Sequence, residues 1–94
     1  MSNDTEDTGM IEALLQRLND FRLPRLLELK ERVTGGETLD EYDLEFLAQA
    51  LEDGRDNQAL IDRNPELQKL AVKMIALYHE ITAKALENES KNSG

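Results

Sequence analysis

The chain has 94 residues, of which 39% are hydrophobic, and a net charge of −9. A chain of this length forms one small domain, and the absence of cysteine excludes disulfide bonds and thiolate metal sites. The acidic balance argues against direct binding to nucleic acid, which requires a basic surface. No apolar run approaches the roughly 20 residues of a membrane-spanning helix, and the acidic start is unlike a secretion signal, so we expect a cytoplasmic protein.

The first predicted element is a helix that begins near Met10. The preceding residues 1–9 are polar and acidic, and we expect them to be a disordered arm. From Met10 onward the apolar residues recur at helical spacing. Pro24 interrupts this spacing, so either Asp20 caps a second segment or a single helix kinks at the proline. The pair Gly35-Gly36 ends the pattern.

A second helix is predicted after these glycines. Thr38 and Glu41 have the spacing of a capping box, in which each side chain hydrogen-bonds to the backbone of the other residue. Gly54 leaves two alternatives open: it ends the helix, or it lies inside a continuous helix where another backbone comes close. The apolar pattern resumes at Leu60, which favours continuity.

The third predicted helix runs from Pro65 to about Glu87. Asn64 supplies an N-terminal cap, and proline suits the first helical position. Residues 88–94 have no apolar side chain, and we expect a disordered tail. The predicted fold is all-α, an antiparallel three-helix bundle or a helical hairpin plus one helix, in a single domain over residues 10–87.

The third helix has more apolar surface than one core-facing stripe requires. Its first seam consists of Leu67, Leu70, Met74, Leu77, Ile81 and Ala85. A second seam consists of Val72, Ile75, His79, Thr82 and Leu86. Because soluble monomers seldom expose large apolar patches, the second seam predicts a homodimer interface. The alternatives are a central third helix covered on both sides by the other two, or a seam reserved for a foreign partner.

Catalytic chemistry finds little support in the sequence. The single histidine, His79, could act as a general base or metal ligand, but a half-buried helix histidine is the simpler interpretation. The acids lack the spacing of di-iron or calcium sites. Arg17, Arg22 and Arg25 could grip an anionic substrate, but they are better explained as partners for acids of the second helix. We therefore expect no enzymatic activity, no cofactor and no metal.

The middle of the chain is its most acidic part. Residues 35–63 contain nine acidic and two basic residues, a net charge of −7. The candidate partner-binding residues are Asp43, Glu45, Glu52, Asp53 and Asp56. Such a surface can steer a basic partner, although it can equally serve solubility. The sequence thus predicts a non-catalytic protein-interaction module, a small regulatory or adaptor protein. The alternatives are an acidic nucleic-acid mimic and a small cofactor-free helical enzyme.

Overall fold

The computed structural model describes the backbone of residues 3–93 and the side chains of residues 8–91. Every regular element in this range is helical, which confirms the all-α class. The elements are α1 (Asn3–Arg17), a π-helical turn (Leu18–Arg22), α2 (Leu23–Thr34), α3 (Glu41–Asp56), α4 (Gln58–Asp62) and α5 (Pro65–Ser93). Within the described residues, each helix is too short or too polar to cross a bilayer.

Pro24 is accommodated inside one uninterrupted helical segment. The Leu23 N–H donates to the carbonyl oxygen of Leu18, five residues back, and the flanking residues keep helical dihedral angles. Proline lacks an N–H, and its ring clashes with the carbonyl four residues earlier. The wider π-helical turn relieves that clash without ending the helix. No side chain caps the start of α2, so Asp20 does not have the capping role considered above.

The N-terminal boundary differs from the sequence prediction. α1 begins at Asn3, so the backbone is helical over most of residues 1–9, where we expected a disordered arm. This segment is rich in acidic residues, and negative charge near the N-terminus of a helix is favourable. Met1 and Ser2 lie outside the described residues.

The C-terminal boundary also differs, because α5 continues to Ser93 instead of ending near Glu87. Asn88 explains the extension. Its side chain is buried, and its amide donates to the carbonyl oxygens of Val33 at 2.7 Å and Glu37 at 2.9 Å. These bonds engage backbone carbonyl groups in the last turn of α2 and in the loop that follows it, and they attach the last turns of α5 to that end of α2. The tail over residues 88–94 was expected to be disordered, but residues 88–93 are helical; Gly94 lies outside the described residues.

The cap of α3 is formed by other residues than those predicted. The Asp43 N–H donates to Asp40 Oδ1 at 2.9 Å, and the Asp40 N–H donates to Asp43 Oδ2 at 3.1 Å. This is a capping box two residues after the predicted one, so Thr38 is not the cap and Glu41 is not its partner. The displacement follows from the position of the Asp43 carboxylate, which arginines of α2 also bind.

The end of α3 resolves the question about Gly54. Gly54 lies inside the helix, and its neighbourhood is open, so no other backbone approaches it. The helix is interrupted three residues later, at Asn57, whose side-chain amide donates to the carbonyl oxygen of Asp53 at 2.7 Å.

The predicted cap at Asn64 is confirmed: its Oδ1 accepts from the N–H groups of Glu66 and Leu67 at 2.9 and 3.1 Å.

The long helices pack side by side in a molecule of 61 × 21 × 19 Å. One core cluster consists of Leu26, Leu29, Val33, Leu47, Leu77, Ile81 and Ala85. The other consists of Leu14, Leu18, Leu60, Ile61, Leu67 and Leu70. Met74 packs against both clusters. The first seam of α5 is thus the core-facing stripe that its spacing predicts.

Candidate functional site

The interface between α2 and α3 is held by an arginine–aspartate cluster, by which we mean Arg22, Arg25, Arg32, Asp43 and Asp53. Asp43 is 1% exposed, and its two carboxylate oxygens accept hydrogen bonds of 3.1 Å each from the Arg32 guanidinium. Arg25 Nη2 lies 3.5 Å from Asp43 Oδ1, and Arg22 pairs with Asp53. The two-pronged contact of Arg32 with Asp43 is the strongest form of this interaction.

An aromatic ring completes the cluster. The guanidinium carbons of Arg22 and Arg25 lie 5.4 and 5.3 Å from the ring centroid of Phe46, within the range of cation–π attraction. The predicted pairing of first-helix arginines with second-helix acids is confirmed for these two residues, whereas Arg17 lies outside the cluster. The arginines are thus occupied by carboxylates of their own chain.

The ionisation of Asp43 is governed by opposing effects. Burial removes water from the charged form and by itself raises the pKa of Asp43. The hydrogen bonds from Arg32 and from the Asp40 backbone, together with the positive charge of Arg32, outweigh burial and hold the pKa of Asp43 below its ordinary value. Asp43 is therefore ionised at neutral pH as an internal part of the α2–α3 interface.

The five acids predicted to bind a partner separate into two groups. Asp43 is buried, so its assignment to a partner-binding surface is wrong; its charge is used inside the fold. Asp53 is half-buried and paired with Arg22. Glu45, Glu52 and Asp56 are exposed. Only these three of the five stand free of the arginine–aspartate cluster.

A groove opens on the other flank of α3, where α3 and α4 face α5. We call it the α3–α5 groove, and its volume is about 470 Å³. Leu51 lines it on the α3 side, Val72 and Ile75 line it on the α5 side, and the buried Leu18 and Leu26 lie at its base. The lining surface is therefore mainly apolar, although Asp53 of the arginine–aspartate cluster also reaches it.

Small residues keep this groove open. Ala50 and Gly54 on α3 and Ala71 on α5 all line it, and none has a side chain long enough to reach the opposite wall. The sequence pattern does not predict the groove. The sequence does contain small residues on both helices. Whether they face each other depends on how each helix is rotated about its axis, which the sequence pattern does not define.

The second seam of α5 is uncovered. Val72 is 68% exposed, Ile75 is 51% exposed and Leu86 is 66% exposed. His79 is also exposed, and Thr82 is half-buried with its hydroxyl donating to the carbonyl oxygen of Tyr78 at 2.9 Å. The alternative in which the other two helices cover both sides of α5 is therefore wrong. Val72 and Ile75 border the α3–α5 groove, and the other three residues continue toward the C-terminus.

His79 stands apart from any group of potential metal ligands. The side chain is exposed instead of half-buried, and its ring meets that of Tyr78 edge-on with centroids 5.9 Å apart. Among the described residues, no three histidine, cysteine or acidic side chains are grouped closely enough to hold a metal ion.

The comparisons with known proteins add nothing to this geometry: no family model, no curated protein and no solved structure matches the chain.

Proposed function

We propose that the chain is a non-catalytic helical interaction module, a small regulatory or adaptor protein that binds a basic partner protein. The supporting observation is the exposed apolar face of α5 at the edge of the α3–α5 groove. Contiguous apolar surface of this kind marks interaction sites in soluble proteins. A small helical enzyme is less well supported, because two of the three arginines that would grip an anionic substrate, Arg22 and Arg25, are engaged with Asp53 and Asp43.

The charge of the molecule favours a basic partner. The whole chain carries −9, and Glu45, Glu52 and Asp56 are exposed on α3. Exposed carboxylates attract a cationic protein over a distance of about 10 Å at 0.1 M salt. A nucleic-acid mimic is less well supported, because it requires a run of outward-facing acids and Asp43 points into the fold.

The helix directions support an antiparallel three-helix topology. Arg32, near the end of α2, meets Asp43 at the start of α3, while Arg22 meets Asp53 near the end of α3. α5 then returns in the direction of α2, since Asn88 contacts the end of α2. This up-down-up order leaves the flank between α3 and α5 as the open one.

A homodimer formed through α5 is a second candidate. The high exposure of Val72, Ile75 and Leu86 favours it, because a second copy is the simplest cover for an apolar seam. His79 and Thr82 would lie within the same interface. Light scattering should then give twice the 10.7 kDa chain mass, and Leu86→Asp should reduce it to the mass of one chain.

Comparative capture from an extract of the source organism tests the proposed function. The wild type, Ile75→Asp and Phe21→Asp are immobilised, and retained proteins are quantified by mass spectrometry. Phe21 is the matched control, since it is 71% exposed and does not line the groove. We expect a basic protein to be retained by the wild type and Phe21→Asp, and lost with Ile75→Asp. Equal retention by all three would contradict the proposal.

A further inference from the structure

The geometry points to a particular ligand for the α3–α5 groove: a basic amphipathic helix of another protein, lying between α3 and α5. This inference rests on the proposed function and specifies the partner's chemistry and conformation. The partner helix would insert its apolar side chains over Leu51 and Ile75, and direct basic side chains toward α3 and α4.

The helical conformation follows from what the groove offers. Its walls are helices, whose internal backbone N–H and C=O groups are already hydrogen-bonded within each helix. The groove therefore has no free strand edge to which an extended peptide could add. A segment buried against an aliphatic lining must satisfy its own backbone groups, and a helix does so. Amphipathic helices bind apolar grooves in this way.

The length of the groove fits a short helix. On α5 its lining extends from Gln68 to Tyr78, which corresponds to about 15 Å along the axis. This length accommodates about three turns of a partner helix, with large apolar residues three or four positions apart. The absence of long side chains at Ala50, Gly54 and Ala71 leaves space for those residues.

The surroundings of the groove define the charge of the partner helix. Asp62 lines the groove and is exposed. Glu52 and Asp56 are exposed on the outer side of α3, around an adjacent cavity that shares Leu51 and Arg55 with the groove. Three exposed acids and one arginine thus border this side. Lysine or arginine residues on the adjoining face of a partner helix would meet complementary charge.

The same charges disfavour a second copy of this chain as the occupant. Each copy carries −9, and a two-fold arrangement across the groove would bring the acids of α3 and α4 on both copies toward each other. Like charges facing one another oppose association. Salt separates the two cases: it screens this repulsion and would strengthen a homodimer, whereas it weakens binding of a basic helix.

Titration of the full chain with synthetic peptides tests the inference. The first peptide has about 14 residues, with leucine at helical three- and four-residue spacing and lysine on the remaining face. The second has the same composition in scrambled order, so that its charge is kept and its apolar stripe is lost. Binding is measured by calorimetry at 50 and 300 mM salt, with circular dichroism to follow helix formation by the peptide.

Four variants separate the groove from the α5 seam. Leu51→Asp changes the groove and not the seam, Leu86→Asp changes the seam and not the groove, and Ile75→Asp changes both. Phe21→Asp changes an exposed apolar residue outside both. All four positions are at least 37% exposed, so we expect the variants to stay folded, and circular dichroism of each variant checks this.

We expect the patterned peptide to become helical on binding and to bind at least tenfold more tightly than the scrambled peptide, with affinity falling as salt rises. Leu51→Asp and Ile75→Asp should weaken binding at least tenfold, whereas Leu86→Asp and Phe21→Asp should change it less than twofold. Equal affinity for the two peptides, or unchanged binding by Leu51→Asp, would overturn the inference. Peptide binding lost equally with Leu86→Asp and Ile75→Asp would also overturn it and favour the α5 seam. The proposed function fails separately, if Ile75→Asp retains every protein that the wild type captures from the extract.

Discussion

The two flanks of α3 are built on different principles. On the flank toward α2, the arginine–aspartate cluster links the two helices through long side chains, buries Asp43 and places two guanidinium groups near the ring of Phe46. On the flank toward α5, small and aliphatic residues face each other across the α3–α5 groove, and no charged pair spans the two walls among the described contacts. α3 is thus tied to α2 by charged side chains and to the core, including α5, by the buried Leu47, whereas its C-terminal half lines the open groove.

The largest expected effect comes from removing the charge that closes the first flank. Asp43→Asn removes the buried carboxylate shared by Arg32 and Arg25 and leaves Arg32 only its longer contact with Glu37, and we expect the free energy of unfolding to fall by about 3 kcal/mol. This is the lower end of the range for a broken buried ion pair, because both arginines retain contact with solvent. Urea denaturation measures the change. The exposed Glu45→Gln is the control, expected within about 0.5 kcal/mol of the wild type; equal stability of the two variants would refute the assignment of Asp43.

Acid should loosen the same flank. The pKa of Asp43 is lower in the folded chain than its ordinary value of about 3.9. As the pH falls below that ordinary value, the unfolded chain takes up a proton that the folded chain resists, so stability decreases until the pH passes the folded pKa. Urea midpoints should therefore fall between about pH 5 and pH 2, and fall less steeply for Asp43→Asn. If the urea midpoints of the wild type and Asp43→Asn fall equally steeply with pH, Asp43 is not the responsible group.

Asn88 secures α5 to the closed side of the molecule. Asn88→Ala removes the two hydrogen bonds to the carbonyl oxygens of Val33 and Glu37, of which the Val33 oxygen keeps its bond from the Gly36 N–H. We expect a loss of about 1–2 kcal/mol in unfolding free energy. Ser90→Ala, at an exposed position of the same helix, should change it by less than about 0.5 kcal/mol. A loss no larger than that of the control would mean that the last turns of α5 are not attached to α2.

The smallest effect concerns the hairpin beside the groove. Asn64→Ala removes the cap of α5 and should cost about 1 kcal/mol. Thr38→Ala is the informative comparison, because the sequence pattern marked Thr38 as a cap whereas the structure gives that role to Asp40. Its stability should stay within about 0.5 kcal/mol of the wild type. A larger loss of stability for Thr38→Ala than for Asn64→Ala would contradict this assignment and favour Thr38 as the cap of α3.

The sequence predicted what local spacing controls. The all-α class, the core-facing seam of α5 and the Asn64 cap all depend on residues within a few positions of one another. The partnership of first-helix arginines with second-helix acids was also foreseen, because opposite charges on neighbouring helices attract.

The features that the sequence did not predict depend on contacts between distant residues. Asp43 and Glu45 are alike as acids of one helix, and only the position of Arg32 on α2 decides which of them is buried. The displaced cap follows from the same contact. Asn88 belongs to a polar stretch and becomes a buried donor only because α2 ends beside it. The α3–α5 groove needs the rotation of two helices about their axes, which periodicity within each helix leaves undetermined.

The most direct test of the open flank is an NMR titration of the ¹⁵N-labelled chain with the patterned leucine–lysine peptide. The account predicts amide shift changes concentrated at residues 50–62 and 68–78, with small changes around Asp43 and at the arginines of α2. Shift changes concentrated on residues 79–86, or spread evenly over the acidic surface, would contradict the central claim that α3 and α5 form the binding site.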